Sequence, residues 1–193
     1  MVRPTGIKKG NKALVLSARS NTSLFIIKKL LALGINTTVL STPKWGPEQV
    51  NMIKPAKLIK LDSSLEQWEK NYDETKCDVV FDPFYDLHLM SAVGLLAVGG
   101  KYITCGYKNQ HQSFIETTDN LNEKQVDKIM LRVMINNLSV MGNCIGTSQD
   151  LIDELAFSEI HESTVPIDSI YDIDSGDKFL NRTYNEHDRF GKV

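Results

Sequence analysis

Short apolar runs rich in β-branched residues recur through the first two thirds of the chain and alternate with longer segments whose apolar positions fall at helical spacing. Ala13 to Leu16 reads as a first buried strand. Leu24, Ile27, Leu30 and Leu31 then recur at three- and four-residue steps, the stripe of an amphipathic helix that ends at Gly34, a C-cap residue. "TTVL" (37–40) predicts a second strand, "PEQVNMI" (47–53) a short helix, and "KLIKL" (57–61) a third strand before the polar helix "SSLEQWEKNY". "CDVVFD" (77–82) predicts a fourth strand, "LHLMSAVGLLA" (87–97) a helix, and "GGKYITCG" (99–106) a turn plus fifth strand. Strands alternating with crossover helices imply a parallel sheet covered on both faces.

Beyond Gly106 the pattern predicts a polar loop to about residue 121, a helix near 122–137, "LSVMGNCIG" (138–146) as a sixth strand and "SQDLIDELAFSEI" (148–160) as a further helix. The stretch from His161 onward is acidic and weakly patterned, with a helix expected at "IDSIYDIDSGDKFLN" (167–181). The fold class is therefore α/β, a doubly wound six-stranded parallel sheet.

Composition narrows the function. A chain of 193 residues, 41% of them hydrophobic, can bury one good core and is expected to form one domain. With 22 basic against 24 acidic residues, nothing points to a nucleic-acid backbone or an anionic membrane as partner. Cys77, Cys105 and Cys144 are far apart and odd in number, which argues against a disulfide framework and a paired-cysteine zinc site and favours a reducing, cytoplasmic setting. No apolar run approaches the roughly 18 residues of a membrane span, and the start "MVRPTGIKKGNK" lacks the apolar middle of a secretory signal.

The chemistry is expected at the first strand-to-helix turn, "SARSNTS" (17–23). In a doubly wound sheet this turn lies where strand order reverses, so a ligand there meets backbone N–H groups at a helix N-terminus, and an anion is the natural guest. The turn contains no glycine. Ser17, Ser20 and Ser23 nevertheless follow the three-residue step of a G-x-x-G-x-x-G turn, and Asn21 tolerates the left-handed region better than most residues. Ser20, Asn21 or Thr22 can cap the helix and turn a hydroxyl toward a phosphate; equally, these residues are good N-caps that need no ligand. An acidic residue at the end of the second strand would bind a ribose 2′-hydroxyl, whereas basic and hydroxyl groups accept a 2′-phosphate. No Asp or Glu lies between Thr37 and Trp45, while Ser41, Thr42 and Lys44 could surround a phosphate, which favours NADP(H) over NAD(H); a solvated loop is the plain alternative. Trp45 could lie against an adenine but reads more simply as packing.

The order of segments "KKGNKALVLSA", "SLFIIKKLLALGI", "KCDVVFDPFYD", "LLAVGGKYITCGY", "NLSVMGNCIGTSQDLIDEL" and "GKV" resembles the cofactor-binding domain of the medium-chain dehydrogenase/reductase superfamily, the zinc-type alcohol dehydrogenases and quinone reductases. The resemblance covers most of residues 8–193. It implies a six-stranded Rossmann domain, NAD(P)-dependent oxidation or reduction, and dimers formed through the last strand. Carried over, Ser17 to Ser23 match the pyrophosphate turn, and Ser41, Thr42 and Lys44 the 2′-phosphate region. Asp82, Pro83, Cys105, Gly106 and Tyr107 match the strand ends that flank the nicotinamide. Besides the missing glycines, this sequence lacks the N-terminal catalytic domain, which carries the zinc ligands where present and much of the substrate pocket. Residues 1–12 are thus expected to be a linker or an added start, 13–180 the cofactor domain, and 181–193 a segment that would return toward an absent catalytic domain. The chain is expected to bind cofactor but not to turn over alone, with any small-molecule substrate held mostly by that other domain.

Other candidates are weaker. Tyr72 and Lys76 in "YDETK" are spaced like the catalytic pair of short-chain reductases but precede the fourth strand, where that pair does not belong, so a surface helix end is favoured. His88, His111, His161 and His187 have no carboxylate or cysteine at metal-ligand spacing, and no metal, zinc included, is assigned to this chain. Cys105 has no paired base and reads as a buried thiol. The acidic run "DSIYDIDSGD" does not follow calcium-loop spacing and reads as a solvated face. The competing functional reading is a degenerate domain without cofactor that serves dimerisation or protein interaction. A third is that another nucleotide, or the phosphate of a thioester, uses the same crevice.

Overall fold

The computed structural model describes residues 1–60, 76–107, 123–164, 166–186 and 188–193. One sheet of six parallel strands is built from β1 (Lys12–Val15), β2 (Asn36–Ser41), β3 (Lys57–Lys60), β4 (Cys77–Asp82), β5 (Leu96–Thr104) and β6 (Ser139–Gly142), in the order β3-β2-β1-β4-β5-β6. The doubly wound six-stranded parallel sheet expected from the sequence is thus borne out. The order reverses between β1 and β4, which pair Ala13 with Val79 and Val15 with Phe81. The central strands are apolar on both faces because helices cover both. Ala13, Val15, Val79 and Phe81 join one core layer with Leu24, Ile27 and Leu30, and Leu14, Leu16, Val80 and Tyr102 join the other with Ala92, Val93 and Ile129.

Helix α1 (Asn21–Ala32) buries the predicted stripe against the first layer and stops at Gly34, which takes φ 68°, a left-handed conformation open to glycine without a Cβ penalty. Helices α2 (Pro47–Met52), α3 (Tyr85–Ala92), α4 (Glu123–Ile135), α5 (Ser148–Ile160) and α6 (Gly176–Tyr184) are the others among the described residues. Three boundaries differ from the sequence pattern, the simplest being β6, expected over 138–146 and ending at Gly142. The helix expected over 87–97 gives way to a 3₁₀ turn (Val93–Leu95), and β5 begins at Leu96, because Gly99 and Gly100 form a bulge inside the strand rather than a turn before it. The register jumps from Cys77–Leu96 to Val79–Lys101, and a Cβ on Gly100 would come within 2.8 Å of the Ala97 carbonyl oxygen. The expected 167–181 helix starts only at Gly176, because Pro166 to Asp168 are drawn into extended pairing with the C-terminus. The helix "SSLEQWEKNY" and the polar loop to residue 121 lie, but for Tyr107, outside the described residues.

That pairing forms a strap. Lys192 N–H donates to the Pro166 carbonyl (2.9 Å), Asp168 N–H to the Lys192 carbonyl (2.7 Å) and Phe190 N–H to Asp168 Oδ1 (2.9 Å). Gly191 sits at φ 97° with its Cα against Pro166, where any Cβ would overlap the Pro166 carbonyl oxygen. Arg182 grips Asp168 with both arms of its guanidinium, Nε to Oδ2 and Nη2 to Oδ1, each at 2.7 Å, and also reaches Glu186 at 2.6 Å and Asp188 at 2.5 Å. The Arg182 fork beside it holds the Asp168 carboxyl down at about 2, from an ordinary 3.8.

A depressed carboxylate pKa stabilises the fold above its unfolded value and loses that contribution as pH falls through the folded value. Asp168 should therefore contribute on the order of 2 kcal/mol at neutral pH, fading as pH drops from 3.8 toward 2. Urea unfolding of Asp168→Asn is expected to show this deficit at pH 7, with the gap to wild type closing across that window.

Candidate functional site

The strand order puts the C-terminal ends of β1, β4, β5 and β6 on one rim, and the turn between β1 and α1 crosses it. Leu16 N–H still pairs with the Phe81 carbonyl (2.9 Å), so the chain leaves the sheet one residue later, at Ser17, with φ 47°. The left-handed conformation thus falls on Ser17, at the first position of the serine step, and Asn21 opens the helix instead. For a residue with a Cβ this conformation costs about 1–2 kcal/mol. The other two serines repay it locally. Ser20 Oγ accepts from Ser23 N–H at 3.1 Å, an N-cap, and the fully buried Ser23 Oγ donates to the Leu16 carbonyl at 2.8 Å, tying the helix to the end of its own strand. The next two N–H groups, of Asn21 and Thr22, lie in the first helical turn, where the helix itself supplies no acceptor. Asn21 Oδ1 is buried with no hydrogen-bond partner among the described residues.

A cavity of about 940 Å³ opens here, walled by the N-terminal segment Met1 to Pro4, the start of α1, the ends of β5 and β6, and α5. Of the residues expected from the sequence, Asn21, Thr22 and Cys105 line it, and Asn143, Cys144 and Thr147 join them. Burial pushes the Cys105 thiol up, so it stays protonated at neutral pH. Gly106 closes the rim between β4 and β5, where a Cβ would meet the Pro83 carbonyl oxygen at 2.6 Å, and Tyr107 stacks on Tyr85 with ring centres 5.5 Å apart. Ser41, Thr42 and Lys44 lie on the opposite flank of the turn. The Ser41 hydroxyl is buried and accepts from Trp45 Nε1 at 2.7 Å, while Thr42 and Lys44 are exposed. Trp45 packs edge-on against Phe190, with ring centres 5.0 Å apart.

Asp82 and Pro83 are buried rather than presented to the rim. Asp82 is the hub of a network: Tyr102 Oη donates to Oδ2 at 2.7 Å, Phe84 N–H to Oδ1 at 2.9 Å, and His88 Nδ1 lies 2.9 Å from the same Oδ1. Burial, with the Asp82 charge beside it, drives the Tyr102 phenol far upward, so it stays protonated and donates to Asp82. Nothing in the sequence marked this network, because its members are six and twenty residues apart on three elements. Arg19 is the one charged residue of the turn. Tyr72, His111 and His187 lie outside the described residues. No group of three or more metal-binding side chains converges among the described residues, and none of their helices is long and apolar enough to cross a membrane.

The N–H groups of Asn21 and Thr22 in the first turn of α1 fit the acceptor oxygens of a phosphate, whereas the orphaned Asn21 Oδ1 is itself an acceptor and fits a hydroxyl or N–H donor; the cavity beside them reaches the ends of β5 and β6.

No protein-family model matches the chain, and no curated protein does. Solved structures do. A thermostable alcohol dehydrogenase from Pyrobaculum aerophilum superposes with a TM-score of 0.77 at 21% identity, covering 100% of this chain and 52% of that one. A putative alcohol dehydrogenase from Sinorhizobium meliloti gives 0.76 at 15% identity, over 99% and 49%. A mycobacterial protein complexed with NADPH gives 0.72 at 13% identity, over 97% and 58%. The chain spans about half the length of these proteins, and what it shares with them is the fold of that half, in agreement with the resemblance read from the sequence.

The Asp82 network yields a direct test. Tyr102→Phe leaves Asp82 Oδ2 buried without its donor and should lower unfolding free energy by about 1–3 kcal/mol, read by chemical denaturation.

Proposed function

We propose that this chain is the NADP(H)-binding domain of a medium-chain, alcohol dehydrogenase or quinone reductase-like oxidoreductase, holding the nicotinamide for hydride transfer to or from a carbonyl, alcohol or enone. The observation that carries the reading is the reversal of strand order between β1 and β4, with the start of α1 turned into the resulting crevice. In this reading Ser17, Ser20, Asn21, Thr22 and Ser23 form the pyrophosphate turn, the backbone N–H groups of Asn21 and Thr22 serving as donors. Ser20 and Ser23 act through their cap and tie, holding the turn's shape. Ser41, fixed by Trp45, orients the end of β2, and Thr42 and Lys44 face the 2′-phosphate. The absence of any acid between Thr37 and Trp45 supports NADP(H) over NAD(H). Asp82 and Pro83 set the position of the rim from below, and Cys105, Gly106 and Tyr107 form its nicotinamide side. When bound, the cofactor supplies the hydride chemistry, and the domain binds and orients it. Residues 13–180 form the body of the cofactor domain in this reading, with residues 1–12 a linker whose start lies against it and residues 181–193 a closing segment strapped onto it, and the substrate is held mostly by another domain. The three free thiols support a reducing, cytoplasmic setting.

The domain is also read as a homodimer through β6. Among the described residues this strand pairs only with β5 and has Val140 exposed, and Met130, Met134 and Ile135 of α4 are exposed as well.

Calorimetric titration is expected to show NADPH binding at least about tenfold tighter than NADH, a difference of roughly 1.4 kcal/mol. No heat with either cofactor at millimolar concentration would remove this reading and leave the two others, a non-enzymatic dimerisation or interaction domain and a crevice for another nucleotide or the phosphate of a thioester. Sedimentation equilibrium should give a dimer that Val140→Lys converts to monomer; a monomeric wild type sinks the β6 interface.

A further inference from the structure

The fold brings two thiols that are far apart in sequence to neighbouring strand ends. β5 and β6 run parallel with Thr104 opposite Gly142, and Asn143 N–H donates to the Thr104 carbonyl at 2.8 Å, so the ladder extends one residue past β6. Cys105 follows Thr104, and Cys144 follows Asn143. Strands about 4.8 Å apart that rise about 3.3 Å per residue put two Cα atoms one step out of register about 6 Å apart. A disulfide spans Cα separations of about 4.4–6.8 Å. Both residues line the cavity, and their thiols lie near enough for charge on Cys144 to act on Cys105.

The surroundings of the two thiols give them different parts. Cys144 is exposed, on the loop that leads to Thr147, the N-cap of α5, and is the thiol that a reagent from solvent meets first. Cys105 is half-buried, and burial, with Cys144 beside it, pushes its thiol up, which makes it a weak nucleophile toward anything in solution. Held beside Cys144, it needs only an intramolecular step. The third thiol, Cys77, is fully buried and donates to the Leu95 carbonyl, and burial pushes it up to about 12, which removes it from the same chemistry.

We propose that Cys105 and Cys144 form a redox-active dithiol in the wall of the cavity, oxidised by a low-molecular-weight disulfide and reduced by the corresponding thiol. Cys144, as thiolate, attacks one sulfur of that disulfide; its S–S bond breaks, a new bond joins Cys144 Sγ to the attacked sulfur, and the other half leaves as a thiolate. Cys105 then gives up its proton and attacks Cys144 Sγ, forming the Cys105–Cys144 bond and releasing the second half. The two cysteines lose two electrons, the small disulfide gains them, and the two protons end on the two released thiols. The linked form pins the loop from Asn143 to Thr147 onto the end of β5, so the oxidised and reduced chains present different walls to whatever occupies the cavity. The inference does not rest on the NADP(H) reading.

The test uses the full chain, reduced and then freed of reductant, with glutathione disulfide as the probe. Peptide mapping without reduction should give a Cys105–Cys144 linked peptide from monomeric protein, with Cys77 still free, and dithiothreitol should restore both thiols. Cys105→Ser should hold glutathione on Cys144 as a lasting adduct, and Cys144→Ser should slow reaction at Cys105 by about tenfold or more, with melting curves showing that each variant folds. The linked peptide is read on the wild type and needs neither variant. A wild type that accumulates the Cys144 adduct with Cys105 free, that links these cysteines only between chains, or that is inert at both thiols overturns the pair.

Discussion

Strand β1 is paired on both sides along its length, with β2 and with β4, and its ladder continues through the Leu16 N–H to the Phe81 carbonyl. A chain so held has one place to leave the sheet, and it must reverse within four residues to lay α1 over the core. The reversal requires a left-handed residue, and Ser17 supplies it at a cost that glycine would avoid. The hydrogen bond from Ser23 Oγ to the Leu16 carbonyl closes the loop and satisfies that buried oxygen. The direction of α1, the crevice beside β4 and the approach of the C-terminal strap all follow from this exit.

The serines explain how a turn without glycine keeps its shape. Glycines at such positions remove side chains so that strand, helix and ligand can approach closely. Here the side chains remain and are turned inward, Ser20 to the Ser23 N–H and Ser23 to the Leu16 carbonyl, so they fill the space that a smaller residue would leave and make bonds across it. The close approach of backbones occurs instead at Gly106, against the Pro83 carbonyl oxygen. Beneath it, Asp82 ties β4, β5 and α3 together through Tyr102 and His88, a buried polar network with its acceptors filled. The rim is thus rigid where the strands meet and open where α1 begins.

How much was legible follows from the range of each interaction. Period-2 and period-3.6 patterning is local, so β1 to β4 could be placed within a residue or two, while β5 and β6 were displaced by three or four residues at one end, and the six-stranded parallel sheet follows from the alternation of strands and helices. The Gly99–Gly100 bulge misled because two glycines before a strand look the same whether they turn the chain or kink it; the partner strand decides. The helix expected over 167–181 begins later because Pro166 to Asp168 pair with a residue that arrives 24 to 26 positions on.

The sequence by itself determined the alternation of strands and helices, the serine step of the first turn and the absence of an acid after β2, since each is written in neighbouring residues. Tertiary structure alone decided which of those groups remain available. It spent Ser41 on Trp45 and Ser23 on Leu16, gathered Asp82, His88 and Tyr102, and brought the last residues of the chain onto Arg19. Hydrogen-bond donors are committed by proximity in space, and proximity across 170 residues is set by packing rather than by any pattern along the chain.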